Sequence, residues 1–401
     1  MYNFAAGRWY QYERDFSLPG HYTSNPRKFE DLTSGAIVFS PGGSFAPYWT
    51  TPNMYSAHAR GTATTLPNGK VLIAGGGIGR PYPAFASTDI FDPTSNTFET
   101  STPSMNVARA YATATLLPND SVLIAGGEPS FTVSPPSPST LASTEIYDSS
   151  SNSFATSTPS MNIAREQATA TLLPNGKVLI AGGLDESGDS LASTEIYDPS
   201  TNSFAASTPS MNIARAGATA TLLPNGMVVI VGGFLVANGS SAWNSLASTE
   251  IYDPSTNTFA TSTPTMNVAR ANATATLLPN GAILIAGGYN PHLSVPVLAS
   301  TDIFDPSTST FATSTPTMNV ARAYATATLL LTGNVLIAGG DTSTEIYYSA
   351  TNTFAASTPS MSVSREYATV SLLPNGQVLI AGGQDGGVPG ALSRSTDIYT
   401  P

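Results

Sequence analysis

Residues 165–183 read REQATATLLPNGKVLIAGG, and residues 191–215 read LASTEIYDPSTNSFAASTPSMNIAR. In the first stretch Ala168 to Leu173 alternates small and larger residues. Pro174-Asn175-Gly176 then supplies a turn whose glycine can take positive φ, and Lys177 to Ala181 is an apolar run. This pattern predicts a tight β-hairpin. In the second stretch Ser193 to Tyr197 reads as a third strand, stopped by Asp198-Pro199 because proline has no amide hydrogen for a ladder. A fourth strand begins near Asn202 and Phe204. The apolar second strand suits burial on both faces, between one such sheet and the next.

The same sentence recurs along the chain. A Gly-Gly doublet follows a short apolar run at Gly75, Gly126, Gly182, Gly232, Gly287, Gly339 and Gly382, at intervals of 51, 56, 50, 55, 52 and 43 residues. Self-similarity at that period signals a repeat architecture in which each unit buries its apolar face against its neighbours. Seven four-stranded units predict an all-β fold, a seven-bladed β-propeller of four-stranded antiparallel blades. The seventh unit stops in its third strand, at Ser395 to Pro401. Residues 44–54, beginning Ser44-Phe45-Ala46, echo the missing fourth strand and its downstream landmarks. The ring is therefore expected to be closed by an N-terminal strand, which removes two free sheet edges. Ala36 to Pro41, AIVFSP, also reads as a third strand and competes with Thr396 to Pro401 for one place. Residues 1–35 match no repeat and are read as an N-terminal arm, with the propeller over 36–401.

The Gly-Gly doublet, the aromatic of the third strand, the later Phe and the Arg that opens each unit resemble the kelch repeat family over about residues 36–401. The resemblance implies the propeller fold and says little of activity, since kelch propellers serve as enzymes, adaptors and scaffolds. The copper-radical oxidases among kelch proteins need a Cys crosslinked to a Tyr, and this chain contains no cysteine. The copies here are unusually alike, which points to a non-catalytic protein-interaction or structural module with no cofactor.

Composition narrows the partners. Charged residues make up only 10% of the chain, Lys occurs only at 28, 70 and 177, and the net charge is −11. That balance argues against nucleic acid, which needs a concentrated cationic footprint. The apolar runs are too short to span a bilayer. The first sixteen residues hold no apolar stretch of a signal peptide, yet the Ser/Thr-rich, Lys-poor surface fits an extracellular or cell-surface protein. Self-association into oligomers or filaments through the N-terminal arm is a further expectation. A glycan- or peptide-binding receptor is the alternative.

Seven arginines fall at what reads as one repeat position: Arg60, Arg109, Arg165, Arg215, Arg270, Arg322 and Arg365. Each unit also carries an acid before the third-strand Ile, among them Glu145, Glu195 and Glu250. Seven equivalent pairs suit a structural role, tying strands or blades by charge-assisted bonds. Just after each Arg the sequence varies: Tyr111, Glu166-Gln167, Gly217, Asn272, Tyr324 and Glu366-Tyr367. The resemblance places this turn on the same face as the loop after Gly-Gly, so these are the ligand-face candidates. Most length variation falls in that loop, where recognition usually lives. Its aromatics Tyr82, Phe85, Phe131, Phe234, Trp243 and Tyr289 either present a protein or glycan surface or pack on their own blades. No metal-ligand spacing stands out. Asp185, Glu186 and Asp189 depart from the EF-hand pattern, and His21, His58 and His292 lie in unrelated contexts.

Overall fold

The computed structural model describes residues 2–5, 8–11, 44–45, 51–78, 83–129, 140–156, 158–206, 208–238, 240, 243–261, 263–355, 358–385 and 391–401. The chain divides into two units, 1–41 and 42–401. In the first, Tyr2–Ala5 pairs antiparallel with Arg8–Gln11. The strand expected at Ala36 to Pro41, and the rest of the expected arm, lie outside the described residues.

The second unit is all-β. Blade three shows the plan: Thr169–Leu172, Val178–Ala181, Thr194–Asp198 and Ser203–Phe204 form one four-stranded antiparallel sheet in sequence order. Blades one, two, four, five and six repeat it, their inner strands beginning at Thr62, Thr113, Thr219, Thr274 and Thr326. Blade seven takes three strands from the C-terminus, Thr369–Leu372, Val378–Ala381 and Thr396–Thr400. Its outer strand comes from the other end of the chain, where Ser44–Phe45 pairs with Thr400 and Tyr399. The inner strand of blade seven neighbours that of blade one, so the inner strands form a closed cycle of seven. The fold is a seven-bladed propeller closed by an N-terminal strand.

The apolar second strands form the cores. Val178, Leu179, Ile180 and Ala181 are all buried, as are their counterparts in every blade. Because both faces of that strand are covered, each pair of adjacent blades shares one cluster. Leu179 and Ala181 pack with Val228 and Ile230 of the next blade, and Leu379 and Ala381 pack with Val71 and Ile73 across the closure. Seven of the nine methionines, Met54 through Met361, plug these seams from the connecting segments. Their flexible thioethers fill irregular gaps.

The turn between the third and fourth strands is set locally. Asp198 Oδ1 accepts from the amide and hydroxyl of Ser200, which with Lys177 pulls its carboxyl down to about 2. Asn202 takes the left-handed conformation, at φ 50°, where Asn is tolerated. Its side chain accepts from Tyr197 Oη at 2.9 Å.

Candidate functional site at the channel mouth

The segment that leaves one blade and opens the next staples the two together. Arg109 donates its amide to Phe85 O, and its carbonyl accepts from Gly76, both in blade one. Its side chain reaches into blade two: Nη1 donates to Gly126 O at 2.7 Å and Ser143 O at 3.0 Å, and Nη2 lies 3.4 Å from Glu145. Arg165 with Glu195, Arg215 with Glu250, and Arg270 with Asp302 repeat the pair at 3.4, 3.2 and 2.7 Å. Arg322 lies 3.5 Å from Glu345, and Arg365 2.8 Å from Asp397. All these groups are buried. Burial pulls the Arg109 guanidinium pKa down, and the attraction of Glu145 opposes it.

Arg60 is not the seventh member of this set. The place is held by His58, which is fully buried, with Nε2 2.8 Å from Asp89 and Nδ1 2.5 Å from Gly75 O. The segment is shifted by two residues: Arg109 stands four before the first inner-strand residue, Thr113, and four before Thr62 stands His58. Arg60 therefore occupies the next variable position, alongside Tyr111, Gln167, Gly217, Asn272, Tyr324 and Tyr367.

These seven residues form a circle. Each donates its amide to the carbonyl of its counterpart in the preceding blade, at 2.9 to 3.3 Å, and Arg60 N to Tyr367 O at 3.1 Å closes the loop. All seven lie in the left-handed region, φ 51° to 59°. That conformation is ordinary for Gly217 and Asn272 and unfavourable for Tyr, Gln and Arg by about 1–3 kcal/mol each. The ring of hydrogen bonds and the strands behind it hold them there.

Within the circle lies a cavity of about 300 Å³, lined by these side chains and the small residues that follow them. The backbone is sevenfold alike, the side chains are not. One arc carries Gln167, Gly217 and Asn272. A Cβ on Gly217 would meet Asn272 Oδ1 at 2.7 Å and a Phe234 ring carbon at 2.8 Å, so a side chain there would have to displace both neighbours. The other arc carries Tyr324, Tyr367, Arg60 and Tyr111. Tyr324 and Tyr367 stack with centroids 4.3 Å apart, and Tyr111 meets Tyr367 edge-on at 6.2 Å. Arg60 Cζ sits 4.0 Å from the Tyr367 centroid and 5.4 Å from that of Tyr111. The guanidinium donates to Tyr111 Oη and to Ile78 O. Burial pushes the Tyr111 and Tyr367 phenols up to about 12, and Tyr324 higher still.

Glu166 and Glu366 stand one residue back from the circle, bridged to Leu184 and Gln384, the residues that follow their blades' Gly-Gly doublets. Glu166 is buried. Glu366 is half-buried, and burial raises its carboxyl pKa against the pull of Arg60. Of the loop aromatics, Tyr82 and Phe131 lie outside the described residues. Phe85 is half-buried at the start of a connecting segment. Phe234, Trp243 and Tyr289 pack on one another: Trp243 lies 4.6 Å from Phe234 and is stacked 5.2 Å from Tyr289. Blades four and five thus share an aromatic clasp, built on a hairpin of Phe234–Leu235 with Asn244–Ser245. Asp185 caps a local turn, accepting from Ser187 N and Asp189 N.

Among the described residues no three His, Cys, Asp or Glu side chains converge as a metal site. A solved structure similar to this chain is a fungal alcohol oxidase of the AA5 family in complex with copper. It has a TM-score of 0.66 and 15% identity, over 90% of this chain and 76% of that one. The likeness is one of fold. A copper-radical centre does not fit the chain, which has no cysteine and, among the described residues, no converging donor set. No curated protein matches the chain. A Kelch motif matches residues 169–208, which cover blade three from its inner strand through its fourth. The same blade recurs around the closed circle, so the chain is a seven-bladed propeller whose third blade matches the Kelch motif.

Proposed function

We propose that the protein is a non-catalytic interaction module that recognises a segment of a partner protein at the channel mouth, outside the cell or at its surface. One observation carries the reading. Seven backbone positions of identical conformation hold unlike side chains, and four contiguous ones form an aromatic and cationic arc. The strands and connecting segments of the repeat are nearly invariant, and its buried ionic pairs bind blade to blade. Sequence variation that a scaffold does not require is where recognition is expected. The Ser/Thr-rich, Lys-poor composition supports the extracellular placement.

Selection of a displayed random-peptide library tests this. Wild-type protein is the bait, and the Tyr324→Asn/Tyr367→Asn double variant is the counter-bait, Asn being the residue that already holds the same conformation at 272. Peptides that bind the wild type and lose the variant are expected. An enriched pool that binds both equally, or no enrichment, contradicts the reading.

A further inference from the structure

Arg60 differs from the arginines that staple the blades. Each of those six lies within 3.5 Å of a carboxylate. Among the described residues none lies within 4.0 Å of Arg60, and of the residues lining the cavity Arg60 alone is charged. Glu366 acts on it only electrostatically, from one position behind the circle. Glu128 and Glu166 act on Tyr111 in the same way. Both are buried, at 4% and 2% exposure, and neither lines the cavity. The cation is held in place rather than neutralised. Tyr367 stacks under the guanidinium, and two hydrogen bonds fix its plane. Two of the five guanidinium N–H groups remain after those two bonds and the hydrogen bond to Tyr367.

We propose that this cavity takes the side-chain carboxylate of an acidic residue from a partner protein, with Arg60 as its counter-ion. The proposal rests on the reading of the mouth as a recognition site and names the chemistry of that site. Fixed guanidinium groups match carboxylates through paired, charge-assisted bonds. About 300 Å³ holds one extended side chain and its water.

The central aromatic argues against an acidic sugar. A sugar ring stacks on an open aromatic face, and Tyr367, the middle ring of this arc, already has Tyr324 and Arg60 against it. Gln167 and Asn272 on the opposite arc can hydrogen-bond the partner's backbone. The chain's net charge of −11 repels an acidic partner at long range. Screening over about 8 Å at physiological salt confines that repulsion, so the local contact sets the affinity.

Calorimetric titration of the full chain with end-blocked tetraglutamate, end-blocked tetraglutamine and tetragalacturonate tests the proposal. Tetraglutamate is expected to bind at least tenfold more tightly than tetraglutamine, and Arg60→Gln to abolish that preference. Arg60→Lys, which keeps the charge without the planar fork, should retain part of it. Thermal melts of both variants monitor folding, and the Lys variant decides should the Gln variant melt early. Equal binding of the two peptides, an Arg60→Gln variant that still prefers glutamate, preference for tetragalacturonate, or no binding of tetraglutamate each overturns it. Should selected peptides depend on Tyr324 and Tyr367 while glutamate and glutamine bind alike, the mouth reading survives and the carboxylate proposal falls.

Discussion

A buried arginine is informative only when its partners are counted. Six arginines here have their charge absorbed by an acid and two carbonyls inside the blade, and they read as mortar. Breaking one such pair leaves the partner charge uncompensated, which costs about 3–5 kcal/mol. Arg165→Ala should therefore lower the urea midpoint sharply, because Glu195, 2% exposed, loses its cation. Arg165→Ala/Glu195→Ala should recover part of the loss. Glu366 gives a pH-dependent prediction. Burial raises its folded-state pKa above the ordinary 4.5, so the folded protein takes up that proton before the unfolded chain does. Its contribution to stability is present below 4.5 and lost as pH rises through the raised value. Glu366→Gln should melt higher relative to wild type at pH 7 than at pH 4, as thermal melts at the two values would read. Reading Arg60 as a staple shows where sequence reasoning slipped. Ala59-Arg60 resembles the Ala-Arg dipeptide of the other units, but four residues before the strand at Thr62 stands His58. Register from the strand was the better guide, because β-pairing tolerates no slip.

At the level of the element, most of the blade is legible in the sequence. The VLIA runs had to be buried on two faces, and the Pro-Asn-Gly turns had to be hairpins. The doublet after each run was harder to explain from the letters. In the fold, Gly126 has φ 69°, and a Cβ there would lie 2.3 Å from Arg165 O, which accepts from Gly127. The second strand ends where the next connecting segment crosses it, and only glycine lets the two backbones touch. Gly126→Ala should lower the thermal midpoint and cost more than the 1–3 kcal/mol of backbone strain alone, since the carbonyl cannot retreat without breaking its bond. The ring of left-handed residues was not legible. Tyr, Gln and Arg carry no propensity for that conformation, and only the closed circle imposes it. The aromatic clasp was equally hidden. Nothing local tells a loop Trp that faces solvent from one that, like Trp243, spans two blades.

For the molecule as a whole, the site exists because the circle closes. Arg60 belongs to blade one and Tyr367 to blade seven, more than 300 residues apart in sequence, and the stack between them forms only when the ends of the chain meet. That closure depends on Ser44–Phe45 completing the sheet begun by the C-terminal strands. Chain ends joined in one blade turn a row of repeats into a ring, and a ring has one mouth where seven equivalent positions can diverge together. The direct measurement uses the absence of native cysteine. Ser44 and Thr400 are paired across the two strands, and directly opposed antiparallel residues stand about 4.5–5.5 Å apart at Cα, within disulfide reach. A Ser44→Cys/Thr400→Cys protein should oxidise in air to a single intramolecular crosslink, visible as faster migration on a non-reducing denaturing gel, with a raised thermal midpoint that reductant reverses. A protein that stays reduced in its folded state, or that crosslinks only between molecules, would contradict the closed circle and with it the site.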